Sequence, residues 1–79
     1  MPARPSAPLG SSAQWPRDLD ADDLTALSMF ARAASRASVA RELGCSTATL
    51  DRRTQRLKTA LDVETLTQVI VRAVRDDLI

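Results

Sequence analysis

The chain has 79 residues and a formal net charge of +1; 44% of its residues are hydrophobic, but only 3% are aromatic. This length allows one small domain, and a core made mainly of Leu, Val, Ile and Ala favours packed helices over β-sheets. Because the chain has no histidine and a single cysteine, Cys45, it cannot form a Ser-His-Asp triad, a Cys-His catalytic pair, a Cys/His zinc site or an intrachain disulfide, and we expect no enzyme, cofactor or metal.

The first 17 residues are predicted to be a flexible tail, and residues 18–79 a single folded domain. The tail mixes four prolines with Ser, Ala and Gly and has no apolar periodicity, so burial cannot offset the entropy lost on ordering it. Trp15 is an exception, which we expect to pack back onto the domain. Neither a signal peptide nor an apolar run of about 20 residues is present, so we expect a cytoplasmic protein that does not bind a membrane.

Four helices are predicted in the domain, which makes it all-α. The first begins near Asp20, which is spaced from Asp23 as in a capping box, and it runs to about Ala33. The second begins after Ser35, a residue type preferred at helix N-caps, and ends at Leu43. Apolar residues recur on one side of each helix: Leu24, Leu27, Phe30 and Ala31 in the first, and Val39, Ala40 and Leu43 in the second.

A tight turn is predicted after the second helix. Gly44 suits a left-handed C-terminal cap, and Ser46 can cap a third helix over about Thr47 to Ala60. The apolar stripe of this helix consists of Leu50, Leu57 and Leu61, and its other faces carry Arg52, Arg53, Gln55, Arg56 and Lys58. Two helices joined by a tight turn, the second rich in arginine, are typical of a helix-turn-helix DNA-binding unit.

The fourth helix has a capping box at Thr65 and Gln68 and is predicted to run to about Asp77. It carries more apolar surface than one core-facing stripe requires. The inward positions are predicted to be Val69, Ile70, Ala73 and Val74, with Leu66 and Val71 left over. This surplus can contact a second copy of the chain, or it can pack against the N-terminal tail.

Charge is distributed unevenly along the chain. Residues 36–61 carry a net charge of +4, whereas residues 18–35 carry −3 and residues 62–79 carry −2. Positive charge on the helix-turn-helix segment is what a phosphate-binding face requires, although a solvated polar face has the same pattern.

Three motifs stand in the order and spacing of a known family. They are Leu19-Asp20-Ala21-Asp22-Asp23 with Ala26-Leu27-Ser28-Met29, then Val39-Ala40, Leu43, Ser46 and Thr49-Leu50, then Leu57, Ala60-Leu61 and Val63. On these residues, the segment 19–71 resembles the LuxR-type (GerE-type) helix-turn-helix domain without a gap, whereas sigma-factor region 4 fits the fourth helix less well. The chain departs from the family pattern at five positions. Ala33 and Asp62 stand where the family commonly has Gly, Ser38 where it has an acid, Arg53 where it has His, and Ala60 where it has Lys.

The resemblance implies that bases are read from the exposed face of the third helix, at Asp51, Arg52 and Gln55. Arg52 can bind O6 and N7 of guanine, Gln55 can bind adenine, and Asp51 can accept a hydrogen bond from N4 of cytosine. Alternatively, Asp51 and Gln55, four residues apart on one helix, pair with each other and contact no base.

Five further residues are candidates for phosphate contacts. Thr47 and Thr49 lie in the first turn of the third helix, where hydroxyls and backbone amides can hold a phosphate. Arg53 is the preferred basic contact and Lys58 the next, while Arg36, at the start of the second helix, can clamp a phosphate across the groove. As an alternative, each of these basic side chains is simply solvated.

The resemblance also implies a homodimer through the fourth helix, with half-sites about one turn of DNA apart. Its interface would contain Leu66, Ile70, Val71 and Val74. We therefore expect a nucleoid-associated transcription regulator that binds double-stranded DNA sequence-specifically, and that stands alone because a 17-residue tail has no room for a receiver or ligand-binding domain. The alternative is a protein-interaction module that binds RNA polymerase or another regulator, which the acidic first and fourth helices and Asp51 favour.

Overall fold

The computed structural model describes residues 15–79, so most of the tail predicted for residues 1–17 lies outside the described part of the chain. Four helices and no strand occur in the described residues, which confirms the all-α prediction. The helices are α1 (Ala21–Ala31), α2 (Arg36–Leu43), α3 (Thr47–Leu61) and α4 (Leu66–Arg75). Within residues 15–79, none of these helices combines the length and apolarity needed to cross a membrane.

Each helix begins at the cap that the sequence predicts. The side chains of Asp20, Ser35, Ser46 and Thr65 each accept a hydrogen bond from the amide three residues further on. The capping boxes of α1 and α4 are both complete, because the third-position side chain also accepts from the cap amide. These bonds satisfy amides that have no partner within the helix, so local sequence alone sets where the helices start.

Three helices end in residues that adopt left-handed backbone without being glycine. Ala33, Asp62 and Asp77 have φ angles of 68°, 56° and 61°. After α1, the amide of Ala34 donates to the carbonyl of Met29 at 3.0 Å, closing a Schellman-type turn. The predictions that α1 reaches Ala33 and α4 reaches Asp77 are therefore wrong by two residues each, because these residues form the turns that terminate the helices.

Two separate clusters of buried apolar residues form the core. One joins α1, α3 and α4 through Leu27, Leu57, Leu61, Val69 and Ala73. The other joins α1, α2 and α3 through Ala26, Val39, Ala40 and Leu50. Because α3 contributes to both clusters, packing supports it along its whole length, and its opposite face stays at the surface.

The apolar surface of α4 is divided differently from the prediction. Val69 and Ala73 are buried as expected, but Val74 is 57% exposed, so the prediction that it faces inward is wrong. Leu66, predicted to be surplus, packs against the α1–α3–α4 cluster. Successive helix positions rotate by about 100°, so residues at spacings of three, four and seven from Leu66 share its side of the helix, whereas Val74 lies beyond the edge of that stripe.

Trp15 packs against the α1–α3–α4 cluster, as predicted. Its indole Nε1 donates a hydrogen bond to Oδ2 of Asp76 at 2.6 Å. The chain just before α1 is thus held near the end of α4, and residues 16–20 pass beside α3 on their way to the first helix.

Candidate nucleic-acid interface

The turn between α2 and α3 spans three residues. Gly44 has a left-handed φ of 69°, as predicted, and the amide of Cys45 donates to the carbonyl of Ala40 at 2.9 Å. Cys45 also packs against the α1–α2–α3 cluster, and Leu50 in the first turns of α3 is fully buried there. The turn therefore holds the start of α3 in one orientation relative to α2.

The outer face of α3, opposite its buried leucines, consists of Ala48, Arg52, Gln55 and Thr59, all of them exposed. Arg52 donates from Nη2 to the hydroxyl of Thr49 at 3.3 Å, and Gln55 donates from Nε2 to the hydroxyl of Thr59 at 3.3 Å. Within residues 15–79, no carboxylate forms an ion pair with Arg52. The outer face thus presents one uncompensated guanidinium and one amide that share only weak bonds to hydroxyls.

Two predicted site residues, Asp51 and Arg36, bind each other. The guanidinium of Arg36 donates from Nε to Oδ1 at 3.0 Å and from Nη2 to Oδ2 at 2.6 Å. The alternative prediction, that Asp51 pairs with Gln55, is therefore wrong. Both side chains are more than half exposed, so the pair lies open to solvent on the flank of α3 that faces α2.

A buried carboxylate lies on the other flank of α3. Asp23 is only 1% exposed, and it accepts hydrogen bonds from Arg53 Nη1 at 3.0 Å and from Arg56 Nη2 at 2.6 Å. A buried charge is tolerated only when it is paired and hydrogen-bonded, and these two arginines satisfy that requirement. The sequence predicted only a capping-box role for Asp23 and did not predict its burial or its arginine partners.

A signal for this burial was present in the sequence. Asp23 precedes Leu27 by four residues and Phe30 by seven, which places a carboxylate in the apolar stripe of α1. A charged residue in such a stripe requires a partner from a neighbouring helix. The partner could not be identified without the packing of α1 against α3.

Three exposed carboxylates surround the same two arginines. Asp20 and Asp22 lie 3.3 and 3.7 Å from Arg53, and Asp18 lies 2.5 Å from Arg56. We call this set, with Asp23, the Asp23 cluster: Asp18, Asp20, Asp22, Asp23, Arg53 and Arg56. It connects the N-terminal end of α1 to the middle of α3.

Contacts within the cluster shift the pKa values of Asp20, Arg53 and Arg56. The amide of Asp23 donates to Asp20 and holds the pKa of Asp20 below its usual range, and the charge of Arg53 acts in the same direction. The hydrogen bond to Asp23 raises the pKa of Arg53. Partial burial acts to lower the pKa of Arg56, but Asp23 and Asp18 outweigh it and raise the value. These shifts favour the charged forms of Asp20, Arg53 and Arg56.

The predicted phosphate contacts differ in accessibility. Arg53 is directed into the Asp23 cluster with 28% of its side chain exposed, so a phosphate would compete with several carboxylates for it. The hydroxyl of Thr49 accepts from Ser46 at 3.1 Å and forms part of the α3 cap, while Thr47 is exposed. Lys58 is partly buried and forms no ion pair within the described residues. The phosphate roles of these residues remain predictions.

The predicted dimer surface on α4 is also mixed. Val71 and Val74 are 50% and 57% exposed, and their spacing of three residues places them as neighbours on the helix. Leu66 and Ile70, by contrast, pack partly buried against the α1–α3–α4 cluster. Of the four residues predicted for the dimer interface, only these two valines therefore offer substantial apolar surface to another molecule.

Any functional assignment for this chain depends on its residues and their geometry, because the comparisons with known proteins found no match. The chain matches no family model, and no curated protein or solved structure matches it.

Proposed function

We propose that this chain is a LuxR-type transcription regulator that binds double-stranded DNA sequence-specifically, with α3 in the major groove. The observation that supports this most strongly is the outer face of α3. It carries Arg52 and Gln55 exposed, while the opposite face is anchored by Leu50, Leu57 and Leu61. A helix held rigidly from behind, with side chains suited to base edges in front, is what direct readout requires.

Arg52 and Gln55 are the base-reading residues in this proposal. Gln55 follows Arg52 by three positions, which is about 4.5 Å along a helix axis, whereas successive bases are about 3.4 Å apart along one strand. The two side chains can therefore reach adjacent base pairs. Arg52 binds O6 and N7 of guanine, and Gln55 binds N6 and N7 of adenine.

Asp51 is less directly available to a base than Arg52 and Gln55, because it forms an ion pair with Arg36. An unpaired carboxylate beside the duplex would repel phosphates, and the Arg36 guanidinium offsets that charge. The paired unit can still present a carboxylate oxygen to N4 of cytosine. Thr47, Lys58 and the α3 N-terminus supply phosphate contacts that set the register.

A homodimer through α4 completes the proposal. The exposed pair Val71 and Val74 forms the contact, and a two-fold arrangement would place two α3 helices in successive major grooves. The bound sequence should then be a palindrome with half-sites about one helical turn apart.

The test is selection of bound sequences from a random duplex library, run in parallel for the wild type, Arg52→Ala and Arg41→Ala. Arg41 is an exposed arginine of α2 without an ion pair in residues 15–79, so its variant controls for loss of one charge. We expect a palindromic motif that loosens at one position per half-site in Arg52→Ala and keeps its specificity in Arg41→Ala. If the folded wild type enriches no motif, the direct-readout function is wrong.

A second function, a protein-interaction module for RNA polymerase or another regulator, is favoured by the ion pairs. Arg36, Arg53 and Arg56 each bind carboxylates of the same chain, which reduces the positive field available to DNA. The two functions differ in salt dependence, since DNA affinity falls steeply with added salt through counterion release. Binding to polymerase that withstands moderate salt, without any DNA shift, would favour this second function.

A further inference from the structure

We infer that Arg56 is a phosphate-binding residue of the α3 surface and that Asp18 occupies it, as an intramolecular substitute for phosphate, until DNA binds. The inference rests on the proposed function. No contact was predicted for Arg56 from the sequence. The inference also gives Asp18, in the segment before α1, a role in setting DNA affinity.

The Arg56 guanidinium binds two carboxylates that differ in burial. Nη2 donates to Asp23, whose side chain is fully buried, whereas Nη1 donates to Asp18, whose side chain is 78% exposed. Arginine has five donors in a fixed fork. Asp23 can therefore keep the guanidinium aimed outward while the partner of Nη1 is exchanged.

Arg56 lies at the edge of the outer face of α3. Arg56 follows Arg52 by four residues and adjoins Gln55, and these three side chains line one surface depression together with Thr59. Arg56 and Arg52 also line a second depression with Thr49 and Asp18. Arg56 thus borders the outer face of α3, where the sugar-phosphate backbone passes if Arg52 and Gln55 reach the bases.

Arg56 and Arg53 differ in the carboxylates that bind them. Arg53 contacts three carboxylates, one of them buried, and leaves 28% of its side chain exposed. Within residues 15–79, Arg56 has a single exposed carboxylate partner, Asp18, to lose. An exposed ion pair contributes little in water, so a DNA phosphate, with comparable hydrogen-bonding oxygens, can displace Asp18 from Nη1.

Displacement has a measurable electrostatic consequence. In the wild type, Asp18 stays near the phosphate that replaces it, so part of the gain is lost to repulsion. Asp18→Asn removes the competitor and the repulsion together. We expect DNA affinity to rise about two- to fivefold and the slope of log affinity against log salt to steepen by up to about 0.9.

The matched control is Glu64→Gln, which removes one negative charge at an exposed residue outside the cluster. A further background, Arg56→Lys, keeps a cation for Asp23 but replaces the fork with a single ammonium. We expect Asp18→Asn to exceed Glu64→Gln in both affinity and salt slope, and its advantage to vanish in the Arg56→Lys background. Fluorescence anisotropy with a labelled duplex, across a salt series, measures the three single variants and the double variant Asp18→Asn with Arg56→Lys.

Three results would overturn the inference, and they can be told apart. Equal effects of Asp18→Asn and Glu64→Gln would mean that only overall charge matters. A gain that persists in Arg56→Lys would assign the effect to another residue. If neither the wild type nor Asp18→Asn binds any duplex at low salt while both remain helical, the proposed function itself fails, and this inference fails with it.

Discussion

Removal of the buried carboxylate of Asp23 should destabilise the domain far more than removal of its exposed neighbour. In Asp23→Ala, Arg53 and Arg56 lose their shared buried partner, and the amide of Asp20 loses an acceptor at 3.2 Å. Asp22→Ala is the matched control, because Asp22 is 55% exposed and touches Arg53 only at 3.7 Å.

The magnitude follows from burial. Removing one partner of a buried ion pair costs about 3–5 kcal/mol, because the remaining charge is left unpaired. Here the arginines keep 28% and 33% of their side chains exposed and can turn toward water. We therefore expect a cost at or just below the bottom of that range, about 2–3 kcal/mol. The control should cost below about 1 kcal/mol, as exposed pairs do.

Urea unfolding followed by circular dichroism distinguishes these values. A domain of this size has a total stability of roughly 3–10 kcal/mol, so Asp23→Ala should lower the unfolding midpoint by about 2 M at a slope near 1 kcal/mol per molar urea. Asp22→Ala should shift it by less than half as much. If the two variants shift the midpoint equally, Asp23 is not the buried partner that holds α1 to α3.

Two other predictions use paired substitutions. Ala33→Gly should stabilise the domain by about 1 kcal/mol, because Ala33 has a φ of 68°. Ala31→Gly, at the last residue of α1, should instead destabilise it by up to about 1 kcal/mol, because glycine disfavours helical backbone. Thermal unfolding of both variants measures this, and equal signs would contradict the left-handed turn. Val74→Lys should convert a dimer to a monomer in sedimentation without lowering the melting temperature, whereas Val69→Lys, at a fully buried position, should prevent folding. A dimer that survives Val74→Lys unchanged would move the interface away from this face of α4.

Helix starts and the helix-turn-helix turn could be predicted because they depend on neighbouring residues. Ser35, Ser46 and Thr65 cap their helices through amides three residues away, and Gly44 adopts the left-handed backbone that its missing side chain permits. The same local reasoning misplaced the ends of α1 and α4, since it did not anticipate Ala33 and Asp77 at positive φ. In both turns, hydrogen bonds to the preceding helix maintain a conformation that the residue itself disfavours.

The direction of the arginines depends on contacts between helices. Arg53 and Arg36 were both predicted to contact phosphates. Arg53 is instead directed to Asp23, thirty residues away along the chain, and Arg36 to Asp51, fifteen residues away. The preference of a long charged side chain for one of several partners depends on which carboxylates packing brings near it, and periodicity carries no information about that choice.

Local hydrogen bonding and the 3.6-residue helical period are enough to predict an all-α domain, its helix caps, the tight turn before α3 and the leucines that anchor α3. They do not predict that Asp23 is buried between α1 and α3, or that Val74 is exposed. Nor do they predict that Arg52, unlike its basic neighbours Arg53 and Arg56, has no carboxylate partner within the described residues. Burial and ion pairing depend on surfaces that the fold brings together from distant parts of the chain.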